Sequence, residues 1–60
     1  MNATQAREYL AVAVATETGR DILRSIGASA VIDAPSNGDD RSTIEIAELV
    51  RTELMRRYKL

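Results

Sequence analysis

The sequence predicts an all-α fold: a two-helix antiparallel hairpin, with helices over residues 3–26 and 43–58 joined by a partly extended connector over 27–42. Three observations predict it. The last third repeats its apolar residues with the period of an amphipathic helix, the first third is Ala-rich and stops at a glycine, and the stretch between them is dense in turn residues.

The C-terminal helix is the plainest element. Ser42 followed three residues later by Glu45 has the spacing of a capping box. At the helical repeat, Ile46, Ala47, Val50, Leu54 and Tyr58 share one arc with Ile44 and Met55 at its edge, while Glu45, Glu48, Thr52, Arg56 and Lys59 oppose them. Glutamates early and Arg56, Arg57 and Lys59 late complement the helix dipole, and Leu49 lies off the apolar arc.

The connector contains a short apolar run, Ala28 to Ala34, closed by Pro35, followed by Ser36-Asn37-Gly38-Asp39-Asp40. Val31 and Ile32 fit a brief strand or a plug at the end of the hairpin. The segment beginning at Asp33 resembles a calcium loop, with oxygen-bearing residues first and fifth and Gly38 sixth. It departs at the third position, Pro35, and at the twelfth, Ile44, where a bidentate Glu is required. A solvated turn explains the same residues, and no metal or other cofactor is expected.

The first third admits two readings. As one helix it runs from an Asn2 or Thr4 cap to Ile26, with Gly27 as the left-handed residue that ends it. Tyr9, Val12, Ala15, Ile22, Leu23 and Ile26 then face inward, and Ala11, Ala15 and Gly19, four apart, form a groove of small residues suited to a close helix crossing. Thr16-Glu17-Thr18-Gly19 is a poor helix interior, Gly19 alone costing ~1 kcal/mol. The alternative is α/β, in the order β-α-β-α, with Leu10, Val12 and Val14 alternating in a strand and Val31-Ile32 in a second. On that reading residues 12–33 resemble an inner strand-helix-strand unit of medium-chain dehydrogenase domains, although the phosphate-binding glycine fingerprint is absent. Ala is favoured in helices and depleted in strands, which places the helical reading first.

Composition narrows what such a fold can do. Sixty residues make a single small domain. Its large apolar side chains are five Leu, five Ile, four Val, two Met and two Tyr, without Phe or Trp. A core this thin usually leans on disulfides, a metal or a partner. With no Cys and no His, neither a disulfide nor a zinc site is available, which leaves association. The same absences, with a single Lys, leave no activated nucleophile, so the chain is expected not to be an enzyme.

The expected role is therefore a non-enzymatic protein–protein interaction module, an oligomer-forming or accessory subunit that pairs with another copy or with a larger host complex. The candidate interface comprises the apolar residues that the hairpin leaves unspent, Leu10, Val14, Val31, Ile32 and Leu49, with the small-residue groove of Ala11, Ala15 and Gly19, which fits a crossing within the chain or between chains. The rival expectation is a small dimeric nucleic-acid-binding regulator. It rests on Arg51, Arg56, Arg57 and Lys59 as phosphate contacts, residues that raise the net charge of 41–60 to +2 against −3 for 1–40. These cations do not form one stripe on the helical wheel, and the overall charge is only −1. The longest apolar run, Leu10 to Ala15, falls far short of the ~20 residues of a membrane span, and a cytoplasmic location is expected.

Overall fold

A computed structural model describes residues 1–34 and 38–59. Those residues form four helices and no strand: α1 (Ala3–Val14), α2 (Glu17–Ser25), α3 (Ala30–Asp33) and α4 (Asp40–Tyr58). The all-α expectation therefore holds, and the β-α-β-α alternative, with its dehydrogenase-like unit, does not. Residues 12–14 and 31–32 are helical.

The first correction is that residues 3–26 are two helices. α1 opens on a complete capping box, in which Asn2 accepts from the Gln5 backbone at 2.9 Å and the Gln5 side chain accepts from the Asn2 backbone at 3.1 Å. It ends at Val14 because Thr16 turns extended and starts a new helix. The Thr16 hydroxyl accepts from the Gly19 N–H at 3.0 Å and donates back to the Ala13 carbonyl at 2.9 Å, holding both sides of the corner. Arg20 reaches across and donates to the Val14 carbonyl at 2.9 Å, satisfying one of α1's terminal acceptors. A β-branched cap followed by Glu17-Thr18-Gly19 makes starting a second helix cheaper than continuing the first.

α2 ends as expected at Gly27, which has φ +78°. The Ala28 N–H donates to Leu23 O at 2.8 Å and the Gly27 N–H to Arg24 O at 3.2 Å, the paired bonds of a Schellman termination. The connector is then partly helical instead of extended: Val31 and Ile32 sit in the single turn of α3, half-buried against the core. Pro35, Ser36 and Asn37 of the turn and of the calcium-loop resemblance lie outside the described residues.

The second correction moves the start of the last helix from 43 to Asp40. The cap is Asp39, whose carboxylate accepts from the Ser42 N–H at 2.8 Å and from the Ser42 hydroxyl at 3.1 Å, so Ser42 is a donor inside the first turn and not the cap. An acidic side chain competes well for this place because the exposed N–H groups favour negative charge. These bonds, the backbone donor first, hold the Asp39 carboxyl below its ordinary value. A carboxyl lowered by folding adds stability above its unfolded value, and that stability is lost as pH falls through the lowered one. Asp39→Asn keeps an acceptor but removes the titration, so its melting temperature is expected to fall less between neutral and acidic pH than that of the wild type. Parallel melting curves for the two across that range would contradict this role.

The third correction concerns helix direction. Arg7 in α1 pairs with Asp40 at the start of α4, while Val12 and Thr16 share a groove with Leu54 and Tyr58 near its end. α1 and α4 thus run in the same sense, with α2 as the return between them, in place of a two-helix hairpin. Their contact is the most extensive in the molecule, and Ala6, Leu10, Ala13, Ile22, Leu23, Ala47 and Val50 form the buried core.

Candidate protein-interaction surfaces

The core decides which apolar residues remain outside. In α1 the inward residues are Ala6, Leu10 and Ala13, spaced i, i+4, i+7, so Val12 turns outward and is 70% exposed. Leu10, expected at an interface, is 1% exposed and belongs to the chain's own core. Gly19, expected in an open small-residue groove, is also buried: a Cβ there would come within 2.0 Å of the Ala13 carbonyl oxygen. The Ala11-Ala15-Gly19 stripe is therefore not continuous, since Gly19 faces the end of α1 across the corner while Ala11 and Ala15 face solvent. Val14, Val31 and Ile32 are half-buried against the core, and Leu49 is 51% exposed.

Two apolar surfaces result. The first is an open groove of about 310 Å³ where the end of α1 meets the end of α4, lined by Tyr9, Val12, Ala13, Leu54 and Tyr58, with Thr16 and Thr18 at one side. Among the described residues no charged side chain lines it. The second is the outward face of α4, opposite Thr43, Ala47 and Val50, where Leu49 and Met55 lie on either side of Thr52. Shallow hollows flank Thr52, one bounded by Glu45, Glu48 and Leu49 and the other by Glu48, Arg51 and Met55. The Thr52 hydroxyl is turned back to donate to Glu48 O at 2.9 Å.

Sequence reasoning placed Val12 and Tyr58 on the buried arc and Met55 at its edge, and so missed all three as surface residues. Tyr58 lies in the last turn of α4, where it borders a groove with Tyr9 and Val12 of α1 and stays largely exposed, and no sequence signal marked this because the first helix reads as continuous to residue 26.

The cations proposed as phosphate contacts, Arg51, Arg56, Arg57 and Lys59, are all exposed. Arg56 pairs with Glu53 at 3.0 Å, and Lys59 caps α4 in the left-handed conformation. The adjacent acids Asp39 and Asp40 both have structural partners, Ser42 and Arg7. No helix among the described residues is long and apolar enough to cross a membrane. Comparison with protein-family models, with curated proteins and with solved structures gives no match to this chain.

Proposed function

We propose that this chain is a non-enzymatic protein–protein interaction module that acts by self-association or as an accessory subunit. One observation carries the reading: of the five exposed large apolar side chains among the described residues, all but Met1 fall in two groups. Val12 and Tyr58, 70% and 58% exposed, border one groove, and Leu49 and Met55, 51% and 41% exposed, share one face of α4. Single exposed apolar residues are normal, whereas grouped ones mark contact sites. The lack of His and Cys supports a role without catalysis.

Sedimentation velocity on the purified chain, from about 10 μM to about 1 mM, tests the reading. The expected result is a mass that rises above the 6.6 kDa of one chain as concentration increases. A single species of that mass throughout overturns self-association. Leu49→Glu is expected to lower the association while leaving the helical circular dichroism signal unchanged, because Leu49 contributes nothing to the core.

A further inference from the structure

We infer that the outward face of α4 is the contact between two copies of this chain, with the two α4 helices antiparallel about a two-fold axis passing through Thr52. This rests on the interaction-module reading and gives it a geometry. At 100° per residue, Glu45, Glu48, Leu49, Thr52, Met55 and Arg56 fall within an arc of about 120°, opposite the buried face of the helix. All six are exposed.

The order of these residues selects the occupant. In an antiparallel pair centred on Thr52, residues equally far before and after it meet. Leu49 packs on Met55 of the partner subunit, and Glu48 faces Arg56 of the partner subunit. Glu45 faces the end of the partner helix, where Lys59 of the partner subunit caps it. Each contact occurs twice, so the surface is self-complementary in both shape class and charge, as a two-fold interface requires. A parallel pair in register would instead stack Glu48 on Glu48 and Arg56 on Arg56, and like charges across a helix seam are unfavourable. Opposed helix dipoles favour the same orientation.

Two of these side chains already have partners within their own helix, Arg41 with Glu45 at 3.4 Å and Glu53 with Arg56 at 3.0 Å. Both pairs are open to solvent, Glu53 alone being half-buried, and worth little, so sharing them with a second copy costs little. The seam from Glu45 to Lys59 is about 21 Å long, which is short against an ordinary interface of ~800 Å² per partner. The dimer is accordingly weak and reversible, with a dissociation constant in the micromolar range or above.

Charge reversal tests the geometry. Glu48→Arg and Arg56→Glu, each alone, place like charges opposite one another at two symmetric points, and each is expected to weaken self-association about tenfold. Mixing the two single variants in equal amounts restores both attractive pairs in the heterodimer, and the Glu48→Arg/Arg56→Glu double variant restores them in its own dimer. Sedimentation velocity reads all four samples, with circular dichroism checking that each is folded. The double variant carries both changes and must still associate, so a folding defect in either single variant cannot pass for the expected result. Singles that associate like the wild type, or a mixture and double variant no stronger than the singles, overturn the antiparallel seam while leaving the interaction-module reading standing. A wild-type chain that never exceeds one-chain mass overturns the seam and self-association together, and leaves only the accessory-subunit form of the interaction-module reading.

Discussion

Gly19→Ala lowers the unfolding free energy by about 1–3 kcal/mol, although helix propensity alone favours Ala over Gly by ~1 kcal/mol. The sign of this change separates two accounts of the first third of the chain. In a continuous helix over 3–26, Gly19 is an interior weakness that Ala repairs. In the observed corner the new methyl would lie 2.0 Å from the Ala13 carbonyl oxygen and 2.6 Å from its carbon. Those are backbone atoms, held by the Thr16 hydroxyl bonds on either side of the turn. They move only if α2 moves away from α1, which also opens the packing of Ile22 and Leu23. Chemical denaturation of wild type and variant decides the matter, and a more stable Gly19→Ala would show that the corner is not as described.

The second large effect is Leu10→Ala, expected to cost ~2–5 kcal/mol. Leu10 is 1% exposed and belongs to the core that α1 shares with α2 and α4. A domain of this length has only ~3–9 kcal/mol of stability to lose. The variant should therefore lose a large share of its stability and unfold at a much lower denaturant concentration than the wild type. Leu49→Ala, the same substitution on the outward face of α4, should stay within ~0.5 kcal/mol of wild type in the monomer. Equal losses for the two leucines, measured by denaturation at a concentration where the chain is monomeric, would contradict the assignment of inside and outside.

The difference between those two leucines also shows how far the sequence can be read. Local signals were legible: the Asn2 cap, one of the two starts read for the first helix, the Gly27 stop and the inward arc of Ala47, Val50 and Leu54 are all present. The corner at Ala15–Thr16 was not, because the Ala-rich run before it favours helix without marking an end, and Thr16 reads equally well as a tolerated helical residue. Missing that corner carried one helical phase from Ile22, Leu23 and Ile26 back into residues 3–14. Val12 then fell inside and Leu10 outside, the reverse of what is observed. Ala6, Leu10 and Ala13 hold the correct phase at i, i+4 and i+7, but two of the three are alanines and give a faint apolar signal. The start of α4 was misplaced for a different reason. Asp39 and Ser42 are both good caps, and only three-dimensional packing, including the Arg7–Asp40 pair to α1, chooses between them.

For the surfaces, Leu49 was legible as an unspent apolar residue because it breaks the period of a strongly amphipathic helix. Val12 and Tyr58 were not, since with the first helix read as continuous to residue 26 nothing marks the groove that they border as open. The Glu45–Glu48 and Arg56–Lys59 clusters were read as complements to the helix dipole. Their even spacing about Thr52 matters only once α4 is known to turn that face to solvent.

A single engineered thiol tests the self-associating surface most directly, because the chain has no cysteine of its own. Two helices packed ~8–10 Å apart bring the Cα atoms facing each other across their axis within the ~4.4–6.8 Å that a disulfide needs. Under mild oxidation at a concentration that supports the dimer, Thr52→Cys should become a covalent two-chain species, and Val12→Cys, on the separate groove, should remain predominantly single. Thr52→Cys that stays a free thiol, or Val12→Cys that cross-links as readily, would contradict the account.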